Sequence, residues 1–110
     1  MPDTQQLNLH AMQAAAARAC ALLKVLGNPD RLMLLCQLTQ DEYCVSELEN
    51  LLGITQPTLS QQLGVLREEQ LVSTRREGKQ IFYRIDSREA MAVMQVLYQQ
   101  FCLPSQGVST

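Results

Sequence analysis

Apolar residues recur at helical spacing in five stretches of the chain and alternate with polar ones in a sixth. The first stretch, Leu7 to Leu26, is dominated by alanine and leucine, the strongest helix formers, and Gly27 stands just past its end where a helix-terminating glycine belongs. Asn28 offers a side-chain cap to a second helix with Pro29 at its first position and Asp30 in its first turn. Leu32, Leu35 and Leu38, with Met33 and Cys36 beside them, give that helix a broad apolar face. After the polar break TQDEY, the spacing of Val45, Leu48 and Leu52 predicts a short third helix that Gly53 stops. Thr55 is placed to cap a fourth helix, expected over Gln56 to Gln70, with Pro57 in its first turn and Leu59, Leu63 and Leu66 on one face.

The period changes at LVSTRREGKQIFYRI. Val72 and Thr74, then Ile81, Tyr83 and Ile85, alternate with polar residues, and Glu77-Gly78-Lys79 separates the halves as a turn, which predicts two antiparallel strands. From Ser87, a good cap with Glu89 in the first turn, a last helix carries Ala90, Met94, Leu97, Tyr98 and Phe101 on one face and ends near Cys102, before Pro104. The order α-α-α-α-β-β-α is that of a mainly helical winged helix-turn-helix. One folded domain is expected over residues 7–103, with residues 1–6 and 104–110, which lack apolar anchors, disordered.

Composition agrees with a single small domain: 110 residues, 46% hydrophobic and 18% charged, enough to build a core. Charged residues interrupt every apolar run well short of the roughly eighteen residues of a membrane span, and the opening residues lack a basic then apolar leader. No membrane partner is expected, and the cytoplasm is the expected location. The four cysteines then read as reduced thiols rather than as a disulfide framework. Net charge is −2, which argues against nucleic acid as a partner until its distribution is seen. Residues 1–55 carry three cations against six carboxylates, whereas residues 56–84 carry five against three.

That basic segment holds the candidate chemistry. Gln56, Thr58, Ser60, Gln61 and Gln62 lie off the apolar stripe of the fourth helix. Glutamine can pair bidentately with adenine, and threonine can touch a thymine methyl in the major groove. Arg75, Arg76 and Lys79 stand at or near the hairpin tip, where long cations reach phosphates or a narrow minor groove. A polar helix face alone is usually just solvated; the turn before it and the basic hairpin after it favour double-stranded DNA. One copy offers few phosphate contacts, so two are expected to act together on a two-fold-symmetric site. The first and last helices, with Leu22, Leu23, Val25, Leu26, Met91, Met94, Leu97, Tyr98 and Phe101, carry the apolar surface for such a homodimer. Enzyme chemistry is not expected: His10, the single histidine, has no motif around it, and no CxxC pair occurs, so no catalytic residue and no cofactor are assigned.

The segments NPDRLMLLCQL, VSELENLLGITQPTLSQQLGVLREEQLV and RREGKQIFYRI resemble the ArsR/SmtB family of bacterial winged-helix repressors across residues 15–103, and within it the persulfide-sensing branch of SqrR/BigR type. The resemblance implies a homodimer that occupies an operator until an inducer lowers its affinity. That branch carries one cysteine in the second helix and another near the end of the last, positions matched by Cys36 in LLCQL and Cys102 in QQFCLP. The implied inducer is a reactive sulfur species that joins them through a di- or polysulfide bridge. The residues by themselves leave other readings open. Both cysteines could be small core hydrophobes. Cys44 matches the first thiolate of a soft-metal pair found elsewhere in the family, but Ser46 stands where the second would be, and Arg88 occupies the place of a zinc-binding histidine. No metal is therefore assigned. A soft-metal sensor using Cys20, Cys44 and Cys102, or a general thiol-oxidation sensor, remains the alternative, with Cys20 and Cys44 as accessory thiols.

Overall fold

The computed structural model describes residues 8–102. Helix α1 spans Leu9–Leu26, α2 Pro29–Leu38, α3 Val45–Leu52, α4 Gln56–Glu68 and α5 Arg88–Leu97, with strands β1 at Tyr43–Cys44, β2 at Val72–Glu77 and β3 at Gln80–Ile85. The expected order of helices and hairpin is present. The expected disordered termini lie outside the described residues.

Local chemistry sets the boundaries. Asn8 caps α1, its Oδ1 accepting from the Ala11 N–H at 2.7 Å. Asn28 caps α2 in the same way, accepting from Arg31 N at 3.0 Å, and Ser87 caps α5, accepting from Ala90 N at 3.1 Å. Gly53 closes α3 in the left-handed conformation at φ 71°, which costs glycine little. Thr55 occupies the cap position of α4, but its side chain makes no capping bond.

Three features differ from the sequence reading. The polar break before α3 contains a third strand: Tyr43 pairs with Tyr83 and Cys44 with Phe82, so the sheet order is β1-β3-β2. Two residues are too few to display an alternating pattern. Helix α4 ends at Glu68 rather than Gln70; Gln70 takes φ 65° and the Leu71 N–H reaches back to Leu66 O at 3.0 Å, a left-handed cap made by a residue with a Cβ. The last helix is α-helical to Leu97 and then widens into a π turn over Tyr98–Cys102.

Leucine fills the centre. Leu34 and Leu35 of α2, Leu48 of α3, and Leu59, Leu63 and Leu66 of α4 are fully buried, and Val25, Leu26, Leu71, Val72, Ala90 and Met94 close the cluster around them. Truncating one such leucine to alanine costs about 2–5 kcal/mol. Helix α2 thus lies at the centre, packed against α1, α3, α4 and β3. Only Val25 and Leu26 of α1 are buried, while Leu9, Met12 and Leu23 stand exposed on it, as do Val96, Tyr98 and Phe101 at the end of the last helix.

Candidate nucleic-acid interface and thiol pair

Burial of Leu59, Leu63 and Leu66 fixes the rotation of α4 and so decides which of its polar residues face outward. Gln56, Ser60 and Gln61 are exposed, and Thr58 is half-buried on the same N-terminal half. The Ser60 hydroxyl donates to Gln56 Oε1 one turn earlier, so the two side chains act as one polar unit. Gln62 differs from its neighbours. It is half-buried, and its Oε1 accepts from Arg31 Nη1 at 2.8 Å, while Arg31 Nε donates to the Val25 carbonyl at 2.7 Å.

The hairpin turns on Gly78 and Lys79, with a positive φ of 64° at Gly78, the first turn position. Lys79 is exposed at its apex, and Arg76 is exposed beside it with Nε donating to Gly78 O at 3.3 Å. Arg75 is engaged within the protein instead. Its Nε donates to Glu42 at 2.9 Å, its Nη1 to Glu77 at 2.7 Å, and its guanidinium lies over the Phe82 ring. These carboxylates, Glu42 first, push its pKa above the ordinary guanidinium value. Two further exposed cations of the basic segment were not singled out from the sequence: Arg67 in the last turn of α4 and Arg84 on β3, the latter donating to Ser73 Oγ at 3.3 Å. Their cationic side chains in a basic segment were the available signal.

The thiols occupy three environments. Cys20 is exposed on α1. Cys44 is buried at the start of α3, 3.3 Å from Ser46 Oγ, with its backbone N–H donating to Glu47 Oε1 at 2.9 Å. Cys36 is half-buried on α2, and burial first, then the nearby Cys102, push its pKa up. Cys102 itself is exposed on the π turn. Residues 66 apart in sequence are therefore near enough in the fold for Cys102 to influence the Cys36 thiol, the first exposed and the second half-buried. Among the described residues no group of three or more histidines, cysteines, aspartates or glutamates is clustered as a metal site would require.

The profile of bacterial regulatory proteins of the arsR family matches residues 28–74. A biofilm growth-associated repressor of Agrobacterium fabrum is 51% identical over 106 residues, covering 96% of this chain and 91% of the relative. The chain belongs to the ArsR family. The crystal structure of the transcriptional repressor BigR from Xylella fastidiosa superposes with a TM-score of 0.80 at 49% identity, covering 88% of this chain and 99% of that one. Reduced HlyU from Vibrio cholerae superposes with a TM-score of 0.83 at 39% identity, covering 86% and 100%. As an ArsR-family protein the chain is a transcriptional regulator with a winged helix-turn-helix fold. No helix of the described residues is long and apolar enough to cross a membrane.

Proposed function

We propose that this ArsR-family regulator is a cytoplasmic homodimeric repressor that holds double-stranded operator DNA while Cys36 and Cys102 are reduced, and lets go when a persulfide or polysulfide bridges them. The influence of the exposed Cys102 on the half-buried Cys36 thiol, which puts the two in one neighbourhood of the fold, carries the reading. Support for repression comes from the relatives described as repressors. Support for the dimer comes from the apolar surfaces of α1 and the end of the last helix, which one subunit leaves open. In the dimer two copies of α4 present Gln56, Thr58, Ser60 and Gln61 to adjacent major grooves, and Arg76 and Lys79 of each hairpin reach the backbone or minor groove.

Exposure gives Cys102 the first encounter with the inducer, and the raised pKa of Cys36 keeps that thiol protonated. The Cys102 thiolate attacks the terminal sulfur of an organic persulfide, the S–S bond breaks, and the organic thiolate leaves with the electron pair. Cys36 then loses its proton and attacks the inner sulfur of the Cys102 persulfide, expelling hydrosulfide and closing a disulfide. Two cysteine thiols are oxidised by two electrons, and the persulfide is reduced to a thiol and hydrosulfide. If both cysteines carry an added sulfur, attack of one persulfide anion on the inner sulfur of the other expels hydrosulfide and leaves a trisulfide. Extra sulfur also eases the short Cα separation that a plain disulfide demands.

The test uses DNA selected in vitro for binding to the reduced protein. Cys36→Ser and Cys102→Ser are expected to bind it as the native protein does and to stay bound after anaerobic persulfide treatment, while the native protein dissociates and yields a Cys36–Cys102 linked peptide by mass. Release of DNA from either serine variant would sink the dithiol reading.

A further inference from the structure

Resting on the sulfur-bridge reading, we propose that Arg31 is the positioning residue that makes the reading helix follow the sensor helix. Cys36 sits on α2 and the groove-facing residues on α4, so the state of one helix must be transmitted to the other. Leucines of both helices share one buried cluster, Leu34 and Leu35 from α2 with Leu59, Leu63 and Leu66 from α4. Such contacts are non-directional, whereas a hydrogen bond has a defined partner and direction. Among the described residues, the Arg31–Gln62 bond is the one side-chain hydrogen bond that joins α2 to α4.

Arg31 is also held on its other side. Its Nε donates to the carbonyl of Val25 in the last turn of α1, so one guanidinium pins α1, α2 and α4 together 31 residues apart in sequence at its farthest reach. It forms no ion pair with a carboxylate within the described residues; both acceptors are neutral oxygens, and the side chain is half-buried. Hydrogen bonds from a charged donor are about twice as strong as neutral ones, and a half-buried cation deprived of an acceptor is costly. Bridging Cys36 to Cys102 moves α2 relative to α1 and α4. Either Arg31 loses an acceptor or Gln62 is drawn along, and because Gln61 precedes it on the same helix, the groove-facing side chains turn with it. The same bond explains why Gln62, unlike Gln56 and Gln61, is withdrawn from the surface.

The experiment compares operator affinity before and after bridge formation and reads the ratio. Arg31→Met is expected to keep the reduced protein's affinity within about threefold while cutting the release ratio by about tenfold, within the usual range of coupling between sites. Gln62→Leu should lower the ratio equally, Gln62→Glu should preserve it, and the Arg31→Met/Gln62→Leu double variant should lose no more than either single change. A merely structural loss would lower thermal stability in both states and leave the ratio alone. Should Arg31→Met fail to fold, Arg31→Lys keeps the charge but lacks the planar fork needed for both acceptors, and a reduced ratio is expected there too. A native-like ratio in Arg31→Met or Arg31→Lys, with the Cys36–Cys102 bridge confirmed by peptide mapping, overturns the inference. Absence of the bridge in the native protein overturns it together with the sulfur reading, and peptide mapping detects that before DNA is added.

Discussion

Arg75 lies over the face of Phe82, its Cζ 4.7 Å from the ring centroid, and is bracketed by Glu42 and Glu77. Glu42 precedes β1 and α3, so this half-exposed guanidinium links the hairpin to the segment that opens β1. Arg75→Ala is expected to weaken DNA binding by misplacing the hairpin, with little change in the salt dependence of affinity. Arg76→Ala and Lys79→Ala are each expected to reduce the log–log salt slope by about one, because each removes a phosphate contact. Salt titrations of the three variants separate the two roles; a slope change in Arg75→Ala matching that of Arg76→Ala would assign Arg75 to the DNA.

Gln61 is exposed on the N-terminal half of α4, the half proposed to read the major groove. Replacing it with alanine is expected to cost about 1–3 kcal/mol on the selected sequence and almost nothing on random DNA, as loss of a base-edge contact does. Parallel competition assays measure both. Equal losses on the two DNAs would make Gln61 a backbone contact.

The pKa of Cys36 is raised by burial and by Cys102. Folding therefore favours its protonated form, a contribution present below the ordinary thiol pKa and lost as pH rises through the raised one. Thermal stability of the native protein is expected to fall over that alkaline window, and less so in Cys36→Ser. In Cys102→Ser, where the neighbouring charge is gone, Cys36 alkylation should rise at lower pH than in the native protein. Identical alkylation profiles would show that burial alone sets the shift.

Gln70 holds a left-handed conformation, at φ 65°, that a side chain with a Cβ resists. Gln70→Gly is expected to stabilise the fold by about 0.5–1 kcal/mol, the relief of strain exceeding the added entropy of the unfolded glycine. The melting temperature should rise by a few degrees. A fall would mean that the Gln70 side chain contributes more than its backbone costs.

Much of the fold was legible because the signals were local. Asn28 and Ser87 cap the helices they precede, and the leucines of α2 and α4 point where their spacing says. Strand β1 was not legible, because Tyr43 and Cys44 become a strand by pairing with Tyr83 and Phe82, some forty residues away. The π turn was hidden as well, since five residues cannot distinguish its period from that of an α-helix. At the candidate site, the exposed face of α4 followed from the apolar stripe. The engagement of Gln62 by Arg31 and of Arg75 by Glu42 could not follow, because each partner lies about thirty residues away and in a different element.

Helix α1 buries only Val25 and Leu26 of its 18 residues. Two buried positions near its C-terminal end give the rest of the helix little packing within its own subunit, and most helical stability in proteins comes from packing an apolar face, so a covering partner is expected to add to its order. If a second copy supplies it, the helix is a property of concentration as much as of sequence, and dissociation and unravelling become one event. Far-ultraviolet circular dichroism should then lose helical signal on dilution, and the melting temperature should climb with protein concentration. The number of molecules in the cell would set how much of each one is folded.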